Sequence, residues 1–126
     1  MKDYDEAIRL QPGRASALNG RCWTRAIVGE LQAALADCNE SLRLAADVPS
    51  TLDSRGLTFL KMGQWDAAIA DYDSALRLYP QLASSLYGRG FARLKKGDTA
   101  AGNADISAAR SLQSKVGEEF ARYGVQ

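Results

Sequence analysis

YDEAIRLQP at residues 4–12 returns as YDSALRLYP at residues 72–80, an offset of 68 positions. Half that offset recurs along the whole chain. Arg21, Arg55 and Arg89 are spaced by 34, as are Gly29, Gly63 and Gly97, and Asp3, Asp37, Asp71 and Asp105. A fixed period of this length marks a solenoid of stacked helix pairs and outranks any local motif. Three full units follow, at 15–48, 49–82 and 83–116, with 1–14 as the back half of a truncated one. Eight columns are identical in all three: Ser16/Ser50/Ser84, Leu18/Leu52/Leu86, Arg21/Arg55/Arg89, Gly29/Gly63/Gly97, Ala33/Ala67/Ala101, Ala36/Ala70/Ala104, Asp37/Asp71/Asp105 and Leu44/Leu78/Leu112.

Each unit reads as two helices, most clearly at 49–82. Asp47 is positioned to cap the first, with Pro49 in its opening turn, where a missing N–H costs nothing. Leu52, Leu57, Phe59, Leu60 and Met62 mix three- and four-residue spacings, as a helix does. Gly63 ends this helix, because glycine enters the left-handed C-cap conformation without strain. Trp65, Ala68, Ile69, Tyr72, Ala75, Leu76 and Tyr79 form the second helix, and Pro80 closes it. Turns of a few residues force the two helices to pack antiparallel.

The 49–82 unit resembles the tetratricopeptide repeat in the sequence of large, small, aromatic, alanine, aromatic and proline positions Leu52, Gly56, Phe59, Ala68, Tyr72 and Pro80. The resemblance covers nearly the whole chain. It implies an all-α fold, a right-handed superhelical solenoid of antiparallel helix pairs forming one domain over 1–126. The other units drift. Cys22 and Ala46 replace the small and proline positions of the first; Gly102, Arg110 and Ser114 replace the alanine, leucine and proline of the third. Val116, Phe120 and Tyr123 share one helical face, so 114–126 resembles the capping helix of the family, which covers the last apolar face.

Composition narrows the function classes. With 126 residues and 46% hydrophobic content, the chain can build one continuous core. A net charge of +1 argues against strongly electrostatic nucleic-acid or membrane binding. RNA binding through Arg25, Arg89, Arg93, Lys95 and Lys96 is therefore a minor alternative. No stretch approaches the ~20 apolar residues of a membrane span. Met1 falls inside the helix of a broken repeat, so the expectation is a longer array. The compartment is left open between the cytoplasm and, given an upstream signal peptide, the periplasm or exterior.

Histidine is absent, removing the commonest general base and metal ligand. Two cysteines without a close pair make no zinc site. No catalytic residue, cofactor or metal is expected. Cys22 and Cys38 should lie near the contact between paired helices. Two buried thiols acting as small hydrophobes are favoured over a disulfide, which needs an oxidising compartment. The Arg and Asp columns predict a ladder of Arg–Asp contacts, with Arg21 reaching back to Asp3; an anion-binding row of arginines is the weaker alternative. Arg9 with Asp5, and Arg77 with Asp73, read as helix pairs worth about 0.3–0.5 kcal/mol each.

By family resemblance, the first helices of each pair line a concave groove. That implies three rows: Trp23, Leu57 and Phe91; Asn19, Asp53 and Tyr87; and Ile27, Lys61 and Lys95. Small residues between them leave pockets for an extended peptide or a helix. The alternative is that Trp23, Leu57 and Phe91 belong to the core. The family's clamp for acidic chaperone tails needs lysines, asparagines and an arginine where this chain has Asn19, Trp23, Ser54, Ser84 and Gly88, so that mode is rejected. The expected ligand is apolar, with a polar or acidic group near Lys61 and Lys95. A second reading is a homodimer formed through Tyr4 and Ile8 at the exposed edge of the truncated repeat.

Overall fold

The structure, a computed structural model, describes residues 2–126; Met1, where the repeat breaks, lies outside the described residues. Among the described residues the fold is all helical: α1 (Lys2–Leu10), α2 (Ala15–Val28), α3 (Leu31–Leu44), α4 (Pro49–Lys61), α5 (Trp65–Leu78), α6 (Ala83–Lys95), α7 (Thr99–Leu112) and α8 (Val116–Arg122). Helices α2 and α3, α4 and α5, and α6 and α7 form the tightest pairs, and α2, α4 and α6 also meet in succession. This is a superhelical solenoid. Among the described residues no helix is long and apolar enough to cross a membrane.

The turns follow from backbone chemistry. Gly29, Gly63 and Gly97 hold φ of 92°, 75° and 89°, the left-handed region an L side chain avoids. Pro49 opens α4, but the N-cap is Val48 and no side chain caps the helix, so Asp47 does not take the capping role its position suggests. The missing N–H of Pro49 already relieves one of the unpaired donors there.

The interhelix contacts depend on residues without bulk. Tyr72 is fully buried. Its ring lies so close to α4 that a Cβ on Gly56 would stand 2.7 Å from it, and a Cβ on Gly88 would overlap the same ring from α6. One aromatic side chain thus fills the space between two glycine-notched helices. Tyr4 of α1 makes the corresponding contact with Gly20 of α2.

The Arg–Asp ladder is present, with one change of partner. Nε and Nη2 of Arg21 donate to Asp37 at 2.8 Å each, those of Arg55 to Asp71 at 2.7 and 2.8 Å, and those of Arg89 to Asp105 at 2.9 Å each. The third arginine nitrogen reaches back to the preceding pair. Arg21 Nη1 donates to Asp5, Arg55 Nη1 to Asn39 and Arg89 Nη1 to Asp73, at 3.0, 3.0 and 2.9 Å. Asp5, two residues beyond Asp3, is therefore the partner of Arg21; it stands one period before Asn39 and two before Asp73, the corresponding partners of Arg55 and Arg89. The same contacts displace the expected helix pairs. Arg9 bonds Glu6 and Arg77 bonds Ser74, since Asp5 and Asp73 are committed to the next pair's arginine. Each arginine thus ties its own helix pair and stitches that pair to the one before. A fork matched to a carboxylate suits this double role better than an ammonium would.

Cys22 and Cys38 are joined as a disulfide, with their Cα atoms 5.5 Å apart, rather than buried as separate thiols. They sit next to Arg21 and Asp37, and the close approach of α2 and α3 at that rung brings the two Cβ atoms within bonding geometry. Such a bond persists in oxidising compartments.

Candidate peptide-binding groove

Helices α2, α4 and α6 carry the three predicted rows, and the structure separates their members by depth. Leu57 is 1% exposed and belongs to the core, so that member of the first row presents no face to a ligand. Trp23 and Phe91 are half-buried against the core. Asp53 is buried, whereas Asn19, Tyr87 and Ile27 are intermediate and Lys95 is exposed. Lys61 is already engaged. Its ammonium donates to the carbonyls of Ala26 and Ile27 at 2.8 and 3.0 Å, satisfying oxygens at the C-terminal end of α2, where the helix dipole favours a cation. Partial burial also lowers its pKa. Lys95 stands over the Phe91 ring, 5.3 Å from its centroid. Of the pair expected to attract an acidic group, Lys61 is engaged and Lys95 stays exposed.

The groove is partly filled by the chain's own C-terminus. Helix α8 rests on α6 and α7, as a capping helix would. Its last residues then leave that position. Phe120, 1% exposed, packs its ring 4.7 Å from that of Tyr87. Tyr123 reaches across to α2, where its ring centroid lies 5.2 Å from that of Trp23 at 79°. Gly124, with φ of 87°, reverses the backbone, and Val125 N–H bonds back to the Phe120 carbonyl at 2.9 Å. This left-handed cap tucks Val125 into the core and brings Gly124 against the Lys61 side chain. Residues 120–125 therefore touch the inner helix of all three pairs. An aromatic, a second aromatic three positions later and an aliphatic after glycine were visible in the sequence. Nothing in that pattern said that they would turn into the groove.

Two of the openings among the described residues lie on the groove side of this tail. One, of about 220 Å³, is bounded by Lys61, Trp65, Phe91 and Val125 among others. The other, of about 290 Å³, lies at the N-terminal end between Tyr4, Asn19, Trp23 and Asp53. Asp53 accepts hydrogen bonds from Ser84 Oγ at 2.8 Å and Ser85 Oγ at 2.7 Å. Burial outweighs those two bonds and pushes its pKa up to about 6. The invariance of Ser84 with Ser16 and Ser50 hid this specific role, and Ser85 carried no sequence signal at all.

The profile of the TPR repeat matches residues 56–97. A crystal structure of a tetratricopeptide repeat protein from Parabacteroides merdae ATCC 43184 superposes with a TM-score of 0.73 at 20% identity, over 97% of this chain and 50% of that one. Residues 56–97 thus match a tetratricopeptide repeat, and the fold of the chain is that of tetratricopeptide solenoids. A crystal structure of MamA protein superposes with a TM-score of 0.75 at 20% identity, covering 93% of this chain and 64% of that one. The MamA RS-1 ArsTM double mutant gives 0.76 at 17% identity, over 95% and 79%. These likenesses are likenesses of fold, and the chain spans less than two thirds of the first MamA structure and half of the P. merdae protein. Comparison with curated proteins gives no match. A tetratricopeptide scaffold is typically non-catalytic and acts as a protein-interaction module.

Proposed function

We propose that the chain is a non-catalytic interaction module whose concave face receives an apolar segment of a partner protein, as a short helix or an extended peptide. The observation that carries this is the tail itself. Phe120 and Tyr123 occupy the surface formed by Tyr87 and Trp23, which displays the chemistry the groove holds: aromatic groups on a short helical segment. The groove is built on helices locked by the ladder, so little ordering entropy is lost on the receptor side. A partner must displace the tail. A tethered segment acts at millimolar effective concentration, so the apparent affinity is weakened by the fraction of chains with the tail docked.

The test uses the tail as probe. In the 126-residue chain carrying Phe120→Ala and Tyr123→Ala, a synthetic peptide of residues 115–126 should bind at least tenfold more tightly than to the wild-type chain. Adding Trp23→Glu should abolish that binding with helicity retained by circular dichroism. A folded double variant that ignores the peptide would remove the groove reading.

Self-association through α1 is the second reading. It is favoured by the absence of any buried residue in α1, with Tyr4 38% and Leu10 63% exposed. A dimer seen in sedimentation that survives Tyr4→Ser with Ile8→Ser would exclude that edge.

A further inference from the structure

Four aspartates are buried: Asp37, Asp53, Asp71 and Asp105. Three of them each accept a two-pronged arginine. Asp53 has only the two serine hydroxyls, and among the described residues no arginine or lysine pairs with it. A buried carboxylate without a countercharge is held at a cost in stability, and such groups concentrate at functional sites.

Its surroundings have one electrostatic character. Tyr4 and Trp23 line the same 290 Å³ cleft. Asn19 donates its amide nitrogen to Ser50 Oγ at 3.3 Å, leaving its buried Oδ1 without a donor. The fully buried Tyr72 hydroxyl also lacks a partner, and the charge of Asp53 helps to raise its pKa, after burial itself. Each carboxylate oxygen has a second lone pair beyond the serine bond. A carboxylate, an unsatisfied amide oxygen and two electron-rich rings complement a positive group and repel an anion.

We infer that this cleft binds an organic cation, the guanidinium or ammonium of an arginine or lysine side chain on the segment that the groove receives. The inference rests on the groove reading, and it adds a charge requirement: a basic residue next to the apolar ones. This is opposite in sign to the clamp for acidic tails that the groove residues exclude. It also differs from the acidic ligand that Lys61 and Lys95 suggested.

The site can be tested apart from any peptide. The 126-residue chain at pH 7.5 and constant ionic strength is titrated with n-butylguanidinium chloride, n-butylammonium chloride and neutral n-butylurea, and the Trp23 indole N–H is followed by NMR. Saturable shifts are expected with one or both cations, and the stronger of the two identifies arginine or lysine. n-Butylurea should give none. Asp53→Asn, which keeps one acceptor oxygen and offers an amide N–H to the other serine hydroxyl, should weaken cation binding at least tenfold while the helical spectrum is unchanged. No saturable shift with either cation, equal binding of the urea, or an unaffected Asp53→Asn variant would each overturn the inference. The groove itself is read by the tail peptide, so a chain that binds the peptide and not the cations loses the cation site alone.

Discussion

The outer rungs and the inner groove treat the same side chain in opposite ways. Asp71, 6% exposed, faces the Arg55 fork; Asp53, 9% exposed and one helix away, faces two hydroxyls and an open cleft. The first arrangement neutralises a buried charge and repeats with the period. The second leaves the charge uncompensated and occurs once. Where a column is repeated with its partner, the chain is building scaffold. Where a buried charge stands alone in a groove, stability has been given up for something the scaffold does not need.

The largest effect should come from breaking a rung. Asp71→Ala strands Arg55 and is expected to cost about 3–5 kcal/mol, visible as a fall in melting temperature. An unchanged melting temperature would mean that the ladder is ornamental. Reducing the Cys22–Cys38 bond, which spans a sequence separation of 16, should cost about 3 kcal/mol through the freedom regained by the unfolded chain. Thermal unfolding with and without dithiothreitol measures it. Gly88→Ala places a methyl group into the Tyr72 ring and should cost about 1–3 kcal/mol, whereas Gly13→Ala, with open space around it, should be close to neutral.

Asp53→Asn should move stability in the other direction. The native pKa of about 6 lies above the usual 3.8, so the folded chain holds this proton more tightly than the unfolded chain. The contribution of Asp53 is therefore most favourable below pH 4, declines as pH rises to 6 and is flat above. Two pKa units set a ceiling of about 3 kcal/mol on that decline. The variant should be the more stable protein at pH 7 and lose its advantage at pH 4. Denaturant unfolding at the two pH values checks both parts.

The scaffold was legible because it repeats. Three copies of the Arg and Asp columns made a ladder of Arg–Asp contacts readable without coordinates, while the period left open whether the contacts run within or between repeats. The inter-pair half of the ladder was not readable, because Asp5, Asn39 and Asp73 form a column of mixed chemistry, and only geometry shows all three facing an arginine. The groove was legible as positions and not as depth. Leu57 and Trp23 share a column, yet one is sealed in the core and the other meets Tyr123, since the tail and the helix on either side decide how deep a position lies. The tail has no counterpart one period away, so no column could place it. The disulfide was hidden for a related reason: Cys22 and Cys38 occupy the Gly56 and Tyr72 columns, where the period predicts contact but not a bond.

The most direct measurement is the ionisation of Asp53 in the intact chain, followed through its carboxyl ¹³C resonance from pH 3 to 8. A midpoint near 6 is expected for a buried carboxylate held only by Ser84 and Ser85. A midpoint near 4 would mean that Asp53 is solvated or already paired with a cation, and would contradict the distinction between groove and scaffold.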